Sequence, residues 1–277
     1  MEIDNKTKGL IKQALEEDHA SSDLSTLWTI PEDAQAEARL LARQEGIFCG
    51  GPLFAEVFKT FDAAINFDLL VDEGSAIEPD QQVARLSGPA RSILSAERTA
   101  LNLIGRLSGI ATQTAHYVER VHGTKARVCD TRKTTPLWRR WEKYAVRMGG
   151  GTNHRDNLED MILLKDNHAS LAGGPAKALR SAKEKNTKGV EIEVEVDTAD
   201  QLQRVLEEGV DRVLLDNMSI DKLREAVAIN AGRAKLEASG GVTLDTVREI
   251  AETGVDYISV GALTHSVKSF DFSLEVV

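Results

Sequence analysis

The sequence predicts an α/β protein in two parts, a small sheet with helices on one side followed by a parallel barrel or partial barrel. Three observations carry that prediction. Only 5% of the 277 residues are aromatic, and the 21 glycines outnumber the 6 prolines, a balance expected where many strands turn into helices. Short apolar runs alternate with amphipathic helical segments through the second part of the chain. The first hundred residues have a different grammar, with strand-like runs and Gly-bearing turns between them.

Taken in order, residues 4–16 read as a helix, and QAEARLLARQEGIFCGG, FDLLVDEG and QVARLSG read as the short strands of the small sheet. From Arg91 to about Val121 apolar residues recur at spacings of three and four, which predicts a long helix joining the two parts, with the boundary near Ala100. ARVCD, MILLKD, VEIEVEV, RVLLD, KLEAS and YISVG then follow as strands, most of them separated by amphipathic helices. Strands that alternate with crossover helices imply a parallel sheet. Six such units suggest a barrel or partial barrel, with an open doubly wound sheet as the alternative. The expected domains are residues 1–100 and 101–265, with 266–277 as a candidate addition to the first.

Charge excludes some functions. The net charge of −10 makes the global field repulsive to nucleic acid and to anionic membrane surfaces, so neither is an expected partner. No apolar run approaches the roughly 18 residues of a spanning helix, and the N-terminus carries no cationic segment leading into an apolar stretch. A cytoplasmic protein is the expectation. The two cysteines, Cys49 and Cys129, stand far apart with no metal-ligand spacing, and Cys129 is expected to be a small buried hydrophobe.

Functional groups of barrels stand at the carboxyl ends of the strands. Here those ends carry Asp130 with Thr131, Arg132 and Lys133, then Lys165, Glu195, Asp216, Ser239 with Gly240 and Gly241, and Gly261. Between Thr131 and Arg155 lie Arg132, Lys133, Arg139, Arg140, Lys143, Arg147 and Arg155, against Glu142 as the single acid among them. That asymmetry in an acidic chain points to an anionic ligand, because guanidinium forks and ammonium groups match carboxylate and phosphate oxygens. Arg139, Arg140 and Lys143 also fit a solvated helix face. His154, after the run Gly149 to Gly151, is a candidate acid or hydrogen-bond donor. In VEIEVEVD the apolar residues should face the covering helices, turning Glu191, Glu193 and Glu195 into the barrel with Glu195 nearest the open end. Lysines and arginines from neighbouring strand ends are the expected counter-charges. The late glycines, Gly240, Gly241 and Gly261, stand where barrels hold a phosphate on backbone amides.

The stretch DTRKTTPLWRRWEKYAVRMGGGTNHRDNLEDMILLKDNH resembles the motif of quinolinate phosphoribosyltransferases, and ERTALN, VEIEVEVDT, LLDN, ASGG and ISVGALTHS fall in that family's order. The resemblance implies an N-terminal α/β sandwich domain plus an incomplete α/β (TIM-like) barrel domain, and homodimers whose active sites are shared, with assembly into hexamers left open. It implies that Arg98 reaches a neighbouring subunit's site, and that Arg132, Lys133, His154, Arg155 and Lys165, beside Thr131, surround the quinolinate carboxylates and pyrophosphate. Glu195 and Asp216 would face the ribose hydroxyls and a magnesium-bound diphosphate, with Lys133, Lys165, Glu195 and Asp216 the catalytic set. Ser239, Gly240, Gly241, Gly261 and Ala262 would hold the 5-phosphate. The implied reaction joins quinolinate to phosphoribosyl pyrophosphate and releases pyrophosphate and carbon dioxide, giving nicotinate mononucleotide for NAD biosynthesis. A related transferase-like protein of metal-transport operons and a Schiff-base barrel aldolase using Lys165 are the alternatives. Leu137 departs from the family pattern, which has glycine after the proline of TRKTTP, and a different turn is expected there. Met148 is a second departure, read as packing.

Overall fold

The computed structural model describes residues 2–277. The chain forms two compact units, one made by the chain up to Gln113 together with Val267–Val277, the other by Thr114–Ser266.

In the first unit, helix α1 (Asn5–Glu17) starts where the Asp4 side chain accepts the Thr7 N–H, and it buries Ile11 and Leu15 on one face. A single 3₁₀ turn (Ala20–Ser22) and α2 (Leu24–Thr29) lead to β1 (Gln35–Ala42), where Ala38, Leu40 and Ala42 point inward at alternate positions. The short pair β2 (Gly46–Ile47) and β4 (Ala76–Ile77) brackets α3 (Gly51–Phe61) and β3 (Asn66–Leu69). Strand β5 (Gln82–Pro89) runs antiparallel to both β1 and β3.

Helix α4 (Ala90–Arg120) then carries the chain from one unit into the other. Ile93, Ala96, Ala100, Ile104, Leu107 and Ile110 are buried along it, the three-and-four spacing legible in the sequence. The division into units falls at Gln113/Thr114, inside this helix, and not at Ala100, because a continuous helix gives no local mark of a domain edge.

The second unit holds six parallel strands in the order β6 (Arg127–Cys129), β11 (Tyr257–Ser259), β10 (Lys235–Ser239), β9 (Arg212–Asp216), β8 (Ile192–Val196) and β7 (Ile162–Leu164). Between them run α5 (Arg139–Met148), α6 (Asp166–Ala172), α7 (Pro175–Lys185), α8 (Ala199–Glu207), α9 (Ile220–Asn230), α10 (Val247–Glu252) and the single turn α11 (Ala262–His265). The side chains of Thr198 and Ser219 cap α8 and α9. Strands β6 and β7 are the two edges of the sheet, so the barrel stays incomplete. Val194, Val213, Leu215, Leu236 and Ile258 are buried in it, as expected of parallel strands covered on both faces.

The chain ends back in the first unit, where β12 (Phe272–Val276) pairs antiparallel with the outer edge of β1. Gly105 and Gly109, one turn apart on α4, admit the segment leading into it. A Cβ at Gly105 would lie 2.8 Å from the Phe270 carbonyl oxygen, and one at Gly109 would lie 2.3 Å from that of Lys268. The Phe270 N–H donates to the Gly105 carbonyl at 2.8 Å across this gap.

Candidate active site

The carboxyl ends of the six parallel strands converge on one cavity of about 780 Å³ in the second unit. Thr131, Arg132, Lys133, His154, Arg155, Lys165, Glu195, Asp216, Ser239, Gly240, Gly241, Gly261 and Ala262 all line it. Arg98 does not; it lies exposed on α4 in the first unit.

The residues of the basic segment divide into ligand-facing groups and struts. Lys143 is 1% exposed, so the reading of a solvated face fails at that position. Its ammonium donates to the fully buried Asp130 and, at 2.7 Å, to the His154 carbonyl. Asp130 also accepts the Asn153 amide and the His154 N–H, so it holds the loop after the three glycines and faces no ligand. Burial raises the Asp130 carboxyl, with Lys143 opposing. Arg139 ties the loop before α5 to the loop after it, through Thr134 Oγ1 at 2.9 Å and the Asp156 carbonyl at 2.8 Å. Arg132 faces the cavity, and its buried Nε has no acceptor among the described residues. A buried donor left in that state is costly unless a ligand oxygen meets it.

Leu137 has φ 71°, a left-handed backbone in which a leucine is strained, and the residue is 64% exposed. A glycine at this position would take the same backbone without that strain.

Lys165 stands half exposed, 3.9 Å from Glu195. Burial raises the Glu195 carboxyl, with the Asp166 N–H and Lys165 opposing and the charge of Asp216 adding to the rise. Asp216, ending the next strand, accepts the Asn217 amide at 2.7 Å. Asn217 was missed by the sequence reading. It has φ 52°, its N–H donates to the Ser239 carbonyl at 2.9 Å, and its Oδ1 lies 2.1 Å from where a Gly240 Cβ would be. Gly240 at φ +95° and Gly241 at φ +61° thus leave backbone amides uncovered at the cavity. A Cβ on Gly261 would come within 3.1 Å of both the His265 ring and the Lys133 side chain.

The glutamates of VEIEVEVD depart from expectation in two ways. Glu191 is exposed and takes no part in the interior. Glu193 is fully buried, yet its counter-charge comes from Arg212 at the beginning of β9, with His154 on its other oxygen, and not from neighbouring strand ends. Glu237, also missed, is fully buried beside them and reaches the cavity wall. Its signal was present, since Leu236, Glu237 and Ala238 alternate as the residues of β8 do. Cys129 is 1% exposed and burial pushes its thiol up, in keeping with a packing role.

Cations, paired carboxylates and bare glycine amides at the open end of an incomplete α/β barrel define a site for a polyanionic ligand. Comparison with known proteins gives that class a family. Residues 110–275 match the family model of the quinolinate phosphoribosyl transferase C-terminal domain, and residues 23–108 match that of the N-terminal domain. A probable nicotinate-nucleotide pyrophosphorylase [carboxylating] of Bacillus subtilis is 42% identical over 97% of this chain and 93% of its own length. The solved structure of NadC from Streptococcus pyogenes is 39% identical with a TM-score of 0.95, covering 100% of this chain and 99% of that one. The nicotinate-nucleotide pyrophosphorylase structure from Francisella tularensis is 40% identical, TM-score 0.94, with 100% and 98% covered. The chain belongs to the quinolinate phosphoribosyltransferase family.

Proposed function

We propose that the chain transfers the phosphoribosyl group of phosphoribosyl pyrophosphate to quinolinate with loss of carbon dioxide, giving nicotinate mononucleotide and pyrophosphate for NAD biosynthesis. The observation that carries this reading is the convergence on one cavity of Arg132, Lys133, Arg155 and Lys165 with Glu195, Asp216 and two glycine loops. Quinolinate brings two carboxylates, and the donor brings a diphosphate and a 5-phosphate. A mixed set of guanidinium and ammonium groups suits the first three, and bare amides suit the last.

In this scheme Arg132 and Arg155 grip the acceptor carboxylates. Burial and the charge of Arg132 lower the Arg155 pKa, a strain that an anionic ligand relieves. Lys133 and Lys165 lie against the carboxylates and the leaving diphosphate. Ser239, Gly240, Gly241, Gly261 and Ala262 hold the 5-phosphate, which fixes the ribose carbon in line with the acceptor nitrogen. As the bond to pyrophosphate breaks, positive charge develops on the ribose, and Glu195 and Asp216 stabilise it from neighbouring strands. Cations at the acceptor end then stabilise the electron density left on the ring carbon when carbon dioxide departs.

The residues also fit magnesium. Glu195 and Asp216 offer hard oxygen ligands, and the rise of the Glu195 carboxyl caused by burial, to which Asp216 adds, is what a cation between them would reverse. Bound with the diphosphate, magnesium would neutralise charge on the leaving group. A shared homodimeric site, with Arg98 supplied across the interface, belongs to the same reading, as does a location away from membranes. No helix among the described residues is long and apolar enough to cross a membrane. A Schiff-base role for Lys165 is not favoured, since the lysine is half exposed and near Glu195 where that chemistry calls for a desolvated amine.

The test is an assay with quinolinate, phosphoribosyl pyrophosphate and magnesium that follows nicotinate mononucleotide and carbon dioxide, with nicotinate as control acceptor. Equal release of both products, dependent on quinolinate, is expected. Binding of phosphoribosyl pyrophosphate by a folded protein that forms no product would overturn the assignment.

A further inference from the structure

Beneath the cavity floor a charged layer crosses the barrel interior, and the reaction scheme above leaves most of it without a role. Glu193 of β8 stands in register with Arg212 of β9, and Glu237 of β10 with Tyr257 of β11. Arg212 Nη2 donates to Glu237 Oε2, and its Nε lies 3.3 Å from Glu193 Oε1, close enough to pair charges although the angle is poor for a hydrogen bond. The guanidinium carbon sits 3.9 Å from the centre of the Tyr257 ring. Ser259 Oγ donates to Glu237 Oε1. Both oxygens of Glu237 are therefore engaged and its orientation is fixed.

His154 caps this layer at the cavity wall. Its Nε2 lies 3.0 Å from Glu193 Oε2 and 3.6 Å from Glu237 Oε2. Its Nδ1 accepts the backbone N–H of Arg155 at 2.7 Å. A backbone N–H can only donate, so Nδ1 must be the bare nitrogen and the hydrogen of a neutral ring must sit on Nε2, facing the two glutamates. Neither ring nitrogen is then free for a ligand. The other hold on Arg155 is the Met161 carbonyl, which accepts from its Nη1 at 3.1 Å.

We propose that Glu237, fixed by Arg212 and Ser259, is a positioning residue that with Glu193 locks His154 as the Nε2–H imidazole, and that His154 thereby sets the backbone and aim of Arg155. His154 is then a strut for the acceptor-binding arginine and not the donor of the proton that replaces carbon dioxide. Burial lowers the His154 pKa, with the charge of Glu237 opposing, which agrees with a neutral ring. The assignment of Arg155 to the acceptor rests on the proposed function, whereas the tautomer does not.

The tautomer is read directly by nitrogen NMR of protein labelled at histidine, with the His154 resonances identified by their loss in His154→Asn. The Nε2–H form is expected near neutral pH. In Glu237→Gln the amide oxygen stays turned to Arg212 but the negative charge facing Nε2 is lost, so the preference for Nε2–H weakens and a mixed tautomer is expected. With it, KM for quinolinate should rise about 10-fold or more while KM for phosphoribosyl pyrophosphate changes less than about 2-fold. Glu237→Asp, which keeps the charge, should recover part of that loss.

An Nδ1–H or protonated His154 in the unmodified protein overturns the proposal, and this arm stands even where Glu237→Gln does not fold. Equal rises in both KM values would make Glu237 a packing residue and overturn it as well. The Nε2–H form, displaced by Glu237→Gln, in a protein that forms no product from quinolinate would keep the lock and reject the reaction.

Discussion

At Leu137 the sequence states its difference from the family openly, and the structure gives the cost. A non-glycine residue at φ 71° carries a penalty of roughly 1–2 kcal/mol, so Leu137→Gly is expected to stabilise the protein by about 1 kcal/mol after the greater freedom of unfolded glycine is deducted. Thermal unfolding should show a midpoint raised by about 2 °C, and Leu137→Ala, which keeps the strained backbone, should show no rise. Lys143 is the opposite case. Nothing in RRWEKYAVRM separates a buried lysine from exposed ones, because the partner that justifies burial, Asp130, is distant in sequence. Lys143→Met leaves Asp130 buried without its counter-charge and is expected to cost about 3–5 kcal/mol in urea unfolding. The strand-end residues of the site were legible singly because each closes an apolar run. Asn217 and Arg212 were not, since their work depends on neighbours in other strands.

Strands β8, β9 and β10 together make a layer whose protonation couples to folding. Burial, with Arg212 opposing, pushes the Glu193 carboxyl up to about 7 from its ordinary 4.5. A carboxyl raised on folding stabilises the native state fully below its unfolded pKa, and that stabilisation is lost as pH rises through about 7. Glu193→Gln cannot ionise. Its stability difference between about pH 5 and about pH 8 should be smaller than that of the unmodified protein by roughly 1–3 kcal/mol. Unfolding in urea at the two pH values measures this, and an unaltered difference would assign the dependence to other groups. The alternation in VEIEVEV and KLEAS showed which residues enter the barrel. Which ones pair there follows from register, and register is set between strands. The glycine loop after β10 belongs to the same scale. Gly240→Ala would drive a Cβ into the Asn217 amide, and KM for phosphoribosyl pyrophosphate should rise about 10-fold or more with quinolinate little affected.

For the whole molecule, α1, the long α4 and all six barrel strands were legible because their periodicity is local, whereas α3 inside the small sheet and the closing strand β12 were not read as elements. The unit boundary was not, since α4 runs through it unbroken. A chain ended after Ser266 loses β12 and the buried Phe270 and Phe272, and each large aromatic removed from a core costs about 3–5 kcal/mol. Limited proteolysis should then cut within residues 1–113 and spare 114–266. Equal resistance of the two regions would show that β12 contributes little. The proposed shared site has its own test: mixing Arg98→Ala with Lys165→Ala should restore activity once subunits exchange, and no recovery after verified exchange would reject it.

During synthesis on the ribosome the first unit leaves the exit tunnel long before the strand that completes it. Until residues 267–276 emerge, β1 presents an unpaired edge, and the grooves over Gly105 and Gly109 stand open. An uncovered strand edge is where chains join one another wrongly, so the hazard lasts through the whole making of the barrel. Neighbouring chains on one message, each waiting for its own β12, would be the first competitors for that edge.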